Sequence, residues 1–240
     1  MKKKIIYFIL DSEIYDLIRH IIIIFNKIKK NFLKKKSSLE IKEYWKNPND
    51  GNNNPLQYLG KGYFKNQNAL FRTNNLIDII KSFKIKNPSI LEVGCNVGRN
   101  LNALNISGFK NLHAIEINQN AINLMKEHFA DTYQQVNISL GSAQEILKKF
   151  ENGKFDIVFS MAVLQHIPNE DIDDVTKEIS RICGNYLISY EAETYSSWRH
   201  FPRSYRMLYK KIKLNISNYK LNFKTSFFTV FKKSFNCFYC

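Results

Sequence analysis

A chain of 240 residues, 44% of them hydrophobic and 14% aromatic, holds enough apolar material for one sizeable core, which excludes a wholly disordered protein. The formal charge of +15 is unevenly spread: residues 1–36 carry +7, residues 199–240 carry +10, and the stretch between them carries −2. Basic ends of this kind attract phosphates, anionic lipid or acidic substrates, although the abundance of Lys, Asn and Ile throughout is also what compositional drift would give.

The N-terminus reads MKKKIIYFILDSEIYDLIRHIIIIFNKIKKNFLKKK. Its first apolar run, 5–10, is short for a signal sequence and ends in Asp11, Ser12 and Glu13. No window reaches the ~18 uncharged residues of a spanning helix. With Ser12 or Asp11 as cap, Ile14, Ile18, Ile21, Phe25, Ile28 and Phe32 form one apolar helical face. Three roles stay open for residues 12–36: a helix docked on its own domain, a partner or dimer helix, or a membrane-surface helix. Residues 1–45 are therefore expected to be a basic, amphipathic helical extension. The run KNPNDGNNNP, 46–55, opens a polar linker over 46–65, and the catalytic or binding domain is expected over 66–240.

Helical periodicity returns over 66–83. From residue 89 the pattern alternates: strands at 89–93, 112–117, 136–140, 155–161 and 186–190, with helices at 97–105, 119–130, 143–150 and 171–182 between them. Apolar strands alternating with helices predict an α/β, doubly wound, mostly parallel sheet covered on both faces. In such folds ligands sit at the C-terminal strand ends, where the strand order reverses. The tail, 214–240, reads as two strands around Lys232–Ser234. Among the four cysteines, Cys95 and Cys183 fall in the sheet region, and Cys237 and Cys240 form a lone CxxC that lacks the second pair of a zinc site, so no metal is expected.

Four stretches carry the chemistry. ILEVGCNVGRN, 90–100, ends a strand in a G-x-N-x-G loop; Gly94 and Gly98 allow close backbone approach, and Asn96 can take a left-handed conformation. Glu116 ends the next strand, where an acid can accept hydrogen bonds from both hydroxyls of a ribose. A small turn, Gly141-Ser142-Ala143, follows the third strand. FDIVFSMAVLQHIP, 155–168, places Ser160 and Met161 at a strand end, followed by His166.

In this order and spacing, the four stretches resemble the class I S-adenosylmethionine-dependent methyltransferases of the small-molecule type, over roughly 70–191. The resemblance implies a Rossmann-like, seven-stranded sheet closed by an antiparallel hairpin, with S-adenosyl-L-methionine as cofactor. It implies that Glu92, Gly94, Cys95, Asn96 and Gly98 surround the methionine portion, that Glu116 holds the ribose with Ile117 against the adenine, that Ser142 and Ala143 border the adenine, and that Ser160 and Met161 lie beside the sulfonium. Two departures stand out: Asn96 replaces a glycine, and Ser142 replaces a frequent acid.

Transfer from a sulfonium needs alignment more than chemical activation, so few catalytic groups are required. His166, with an ordinary pKa of about 6.5, is the candidate base. The segment after the fifth strand supplies Glu191, Trp198, Arg199, His200 and Arg203 as a candidate acceptor pocket, the arginines suiting a carboxylate or phosphate. No N/D-P-P-Y or Pro-Cys follows the fourth strand, which disfavours the adenine, glutamine and cytosine C5 reactions. The reading is O-methylation of a small-molecule or glycan-precursor acceptor, in the cytoplasm or peripheral to the membrane. The alternatives are an RNA methyltransferase gripping phosphates with its basic ends, though no RNA-binding module is visible, and a non-catalytic cofactor-binding protein recruited through its N-terminal helix.

Overall fold

Five apolar runs become the parallel strands of one sheet: β1 (Ile90–Val93), β2 (Leu112–Glu116), β3 (Asn137–Leu140), β4 (Phe155–Met161) and β5 (Cys183–Ala192). The computed structural model describes residues 13–31, 36–48, 53–59, 67–211, 215–221 and 226–232. β1 is buried along its whole length and lies between β2 and β4, with Val93 opposite Ile115 on one side and Ser160 on the other. The chain builds outward from β1 to β2 and β3, then crosses back to β4 and β5. The strand order therefore reverses at β1, and the crevice expected of such a reversal opens beyond the ends of β1 and β4.

The two-residue period of the strands sorts their side chains into two cores. Leu91, Val93, Ile115, Val158 and Leu187 pack on one face, with Ile172, Val175 and Ile179 of helix α8 (Asn169–Ile182). Ile90, Leu112, Ala114, Ile157, Phe159 and Ile188 pack on the other. They meet Leu76 and Ile80 of α3 (Gln67–Ser82), Leu101 and Leu104 of α4 (Arg99–Ile106) and Met125 of α5 (Gln119–His128). Because both faces are covered, the strands read as continuous apolar runs rather than alternating ones. The α/β fold with a parallel five-stranded sheet agrees with the sequence reading.

The boundaries moved for local reasons. The helix expected over 119–130 breaks at Phe129, whose backbone is non-helical (φ −134°, ψ 50°) and whose ring packs into the second core; a short α6 (Ala130–Gln135) follows. The helix expected over 143–150 is a short α7 (Ala143–Ile146) followed by a 3-10 turn. β5 begins directly where α8 ends, with Cys183 serving both, and so exceeds the five residues expected. The N-terminal extension is two helices among the described residues, α1 (Glu13–Asn31) and α2 (Ser38–Lys46). A reciprocal capping box between Ser37 and Glu40 starts the second. Following β5, helix α9 (Tyr205–Lys211) leads to β6 (Asn215–Leu221) and β7 (Ser226–Lys232). β7 runs antiparallel beside β5, and β6 antiparallel beside β7. The tail hairpin is thus displaced from its expected place: Lys232 ends a strand instead of forming the turn, and 233–240, with Cys237 and Cys240, lie outside the described residues.

Gly98 caps α4 in a left-handed conformation (φ 74°), and a Cβ there would overlap the Met125 side chain. Gly98→Ala is expected to cost about 2–3 kcal/mol, combining left-handed strain with overpacking. Urea denaturation would measure it; an unchanged midpoint would show that the turn can relax.

Candidate active site

The loop after β1 is held by backbone hydrogen bonds before any side chain acts. The N–H groups of Gly94 and Cys95 both donate to the Ile115 carbonyl, at 2.8 and 3.1 Å, binding the loop to the end of β2. Gly94 (φ 74°) leaves no room for a Cβ against Val163, and Asn96 is left-handed (φ 50°), the conformation its side chain best tolerates. This turn aims the Asn96 N–H at Glu116 Oε2, 2.6 Å away. Glu116 Oε1 accepts from the N–H groups of Ile117 and Asn118, each at 2.9 Å. Burial pushes the Glu116 carboxyl up, against the pull of these three donors. A carboxylate has about four acceptor positions, so capacity remains for a hydroxyl.

A second buried acid stands on β1. Glu92 Oε1 accepts from Asn100 Nδ2 at 2.8 Å, and Asn100 Oδ1 accepts from Thr73 Oγ1 at 3.1 Å. Glu92 Oε2 is buried without a hydrogen-bond partner among the described residues. Burial is the main cause that pushes its pKa up to about 8, so the group is largely protonated at neutral pH unless a cation comes to it. Asn96 Oδ1 and Ser142 Oγ are likewise buried without partners. Ser142 occupies the cap position of α7 yet makes no capping bond, which leaves its hydroxyl for something else.

These groups surround a cavity of about 860 Å³ beyond the ends of β1, β2 and β4, within the usual size range of small-molecule sites. Of the residues singled out in the sequence, Glu92, Gly94, Cys95, Asn96, Glu116, Ile117, Ser142, Ala143, Met161 and His166 line it. Gly98 lies behind the loop as a helix cap, and Ser160 is buried beside the Glu191 carboxylate, outside the lining. Between Met161 and Val163, both cavity residues, Ala162 also has a positive φ (58°), a strained backbone at the mouth of β4.

None of the five candidate acceptor residues lines the cavity. Glu191 is buried, receives the Gln165 N–H at 3.2 Å, and has its pKa pushed up to about 7, chiefly by burial. Arg203, also buried, donates to the Ile167 carbonyl at 2.6 Å and to Asn169 Oδ1 at 3.1 Å. Trp198 packs edge-on against Tyr44 of α2, with the Arg199 guanidinium 5.7 Å from the Tyr44 ring. The His200 ring lies 4.4 Å from that of His166, tilted by 60°, and bonds to Ser197 Oγ. The segment is a polar buttress behind the cavity wall.

His166 forms part of that wall, its ring 4.4 Å from Trp45 of α2. Its Nδ1 faces the Arg199 carbonyl at 2.9 Å, which can only accept, so Nδ1 carries the proton. Nε2 then accepts from Gln165 Nε2 at 3.2 Å; the Gln165 amide is oriented by the Ala192 N–H donating to its Oε1 at 2.7 Å. Burial first, and the neighbouring His200 second, push its pKa down to about 3. The ring is neutral at physiological pH and a weak proton acceptor.

The sequence reading missed the other wall. Ile41, Lys42 and Trp45 of α2, Tyr58 from the 3-10 turn Pro55–Tyr58, and Arg72 of α3 all line the cavity. Tyr58 and Leu59 pack on Val97, Ala121 and Leu124, so a stretch read as linker covers the loop. Signals for both elements exist in the sequence: the Ser37/Glu40 capping box and the Asn54-Pro55 start, where Asn54 Oδ1 accepts from the Leu56 N–H.

A family model described as a methyltransferase domain matches residues 90–185. A ubiquinone biosynthesis O-methyltransferase of Hydrogenovibrio crunogenus is 35% identical over 103 residues, 42% of this chain and 42% of that one. A ribosomal protein L11 methyltransferase of Staphylococcus aureus is 29% identical over 117 residues, 49% of this chain and 36% of that one. The match spans less than half the length of these curated relatives. Magnesium protoporphyrin IX methyltransferase from Synechocystis PCC 6803, solved with bound SAM, shares the fold at a TM-score of 0.59 and 14% identity, covering 82% of this chain and 97% of that one. Residues 90–185, which include β1, Glu116 and the turn at Ser142, match a methyltransferase domain, and these similarities together support a class I S-adenosylmethionine-dependent methyltransferase.

Proposed function

We propose that the chain transfers a methyl group from S-adenosylmethionine to a hydroxyl of a small-molecule acceptor. The observation that carries this reading is the cavity rimmed by buried polar atoms without partners: Glu92 Oε2, Asn96 Oδ1 and Ser142 Oγ, with Glu116 between them. Such atoms are costly to leave unmade and are the signature of a site awaiting a polar ligand. Glu92 would meet the cationic methionine end, Glu116 the ribose hydroxyls, Ile117 and Ala143 the adenine, and Ser142 a polar edge of it. When bound, the cofactor supplies an electrophilic methyl on a positively charged sulfur. The bound SAM of the Synechocystis structure supports this choice of ligand, and the Hydrogenovibrio relative supports an oxygen acceptor.

The acceptor side falls to Trp45, Tyr58, Arg72 and His166, two aromatic faces, a cation and a neutral imidazole, which suit a flat acceptor with an anionic substituent. These residues would hold the acceptor hydroxyl facing the electrophilic methyl that the cofactor supplies when bound. His166, engaged at both nitrogens and held far below its ordinary pKa, is suited to positioning the acceptor rather than removing its hydroxyl proton. Trp198, Arg199 and His200 act through it and through Tyr44 as support.

Calorimetric titration with S-adenosylhomocysteine tests the cofactor assignment. Glu116→Ala is expected to weaken binding by about 1–3 kcal/mol, the cost of a lost polar contact; no binding to well-folded wild type would sink the reading. Glu92 provides a pH test. Its pKa of about 8 lies above the ordinary carboxyl value, so its contribution to the stability of the ligand-free protein is present in acid and lost as pH rises through 8. Glu92→Gln should therefore raise the unfolding free energy more at pH near 9 than near 5, by on the order of 3 kcal/mol, read from urea denaturation at the two pH values. It should also abolish the rise in affinity with pH expected of wild type if a bound cation draws off the Glu92 proton. For His166→Asn, we expect kcat/KM within about tenfold of wild type, whereas a fall of about 10²–10⁴ would restore the histidine as general base.

A further inference from the structure

Helix α1 is docked by its polar side. Arg19 Nη1 lies 2.7 Å from Glu193 Oε2, both side chains 2% exposed. Asn26 Nδ2 donates to the Thr194 carbonyl at 2.7 Å. Lys30 Nζ donates to the carbonyls of Ser197 and His200, at 2.5 and 2.7 Å. Among the described side chains of the helix, Ile23 is the one apolar group that is buried. The opposite side is apolar and faces outward. Leu17, Ile18, Ile21, Ile22, Ile24, Phe25 and Ile28 are all at least 42% exposed. At 100° per residue they sweep an arc of about 160°, and the docked residues occupy the remainder. Helices on water-soluble surfaces show the reverse arrangement, and a patch of seven large apolar side chains marks an interaction face.

Charge identifies the occupant. The exposed Lys29 lies within the apolar arc at the C-terminal end of the helix and the exposed Lys27 lies beyond its edge, and residues 1–36 carry ten basic and three acidic side chains, including Lys2–Lys4 and Lys34–Lys36. Two copies pairing through this face would set one +7 segment against another, whereas an anionic lipid surface neutralises the charge and receives the apolar arc. No helix among the described residues is long and apolar enough to cross a membrane. We propose that α1 lies along an anionic membrane surface, its apolar arc sunk into the headgroup–acyl boundary. The residues it docks on, 193–200, buttress His166, so the seated helix holds the cavity wall near the bilayer.

Vesicle co-sedimentation of the full chain tests this. Partition onto vesicles containing about one third phosphatidylglycerol should exceed that onto pure phosphatidylcholine by at least about tenfold and should fall with added salt. Ile21→Glu/Phe25→Glu should abolish binding, and Lys27→Glu/Lys29→Glu should remove the preference for anionic lipid. All four positions are exposed, so an unchanged melting temperature and unchanged S-adenosylhomocysteine binding would confirm folded variants. Wild type that stays in the supernatant with anionic vesicles overturns the proposal. If light scattering then shows a dimer that Ile21→Glu/Phe25→Glu dissociates, the face belongs to a second copy. Equal partition onto both lipids overturns the electrostatic part.

Discussion

The carboxylate of Glu116 organises everything around it. Three backbone N–H groups from two stretches, Asn96 in the turn after β1 and the consecutive Ile117 and Asn118 between β2 and α5, converge on its two oxygens. None of the three is a helix or strand bond, so each would be an orphan donor without the acid. The Asn96 bond ties the loop after β1 to the loop after β2, and the other two hold the carboxylate in place for it. Glu116 thus closes the fold locally and retains acceptor capacity for a ligand, which explains why one acid at a strand end serves both architecture and chemistry.

The neighbouring acid works oppositely. Glu92 is supported on one oxygen only, by an asparagine itself supported by Thr73. With its second oxygen unpaired in a dry setting, it is close to neutral when the cavity lacks a cation. The two acids stand one strand apart, yet three backbone donors oppose the upward push of burial on Glu116, while Glu92 has a single side-chain donor against it.

The central sheet and its loop were legible because their signals are local. Apolar runs, glycines at 94 and 98, an acid after β2 and a small turn at 141–143 lie in short windows, and each element forms from its own residues. The opposite wall of the cavity was not legible, because it comes from α2, the turn at 55–58 and Arg72, segments that precede the sheet and reach it by tertiary packing alone. Likewise, the polar residues at 191–203 look like a pocket in sequence. Their role as a buried buttress appears only once Glu193 finds Arg19 and Glu191 finds Gln165. The tail hairpin slipped for a related reason: its alternation is weak, and pairing with β5, not pattern, sets its register.

The wall over the cavity also has a history in time. Helix α2, which forms part of it, and α1 are synthesised well before the segments after β4 and β5 that they dock on: Asn26 and Thr194 lie 168 residues apart, and Trp45 must await His166. A growing chain can complete each strand–helix unit as it emerges, while the wall stays unanchored until the buttress exists. Assembly of the site is therefore a terminal event in folding. A nascent chain arrested before residue 193 would possess every residue that lines the cavity but not the segment that supports His166 and receives α1.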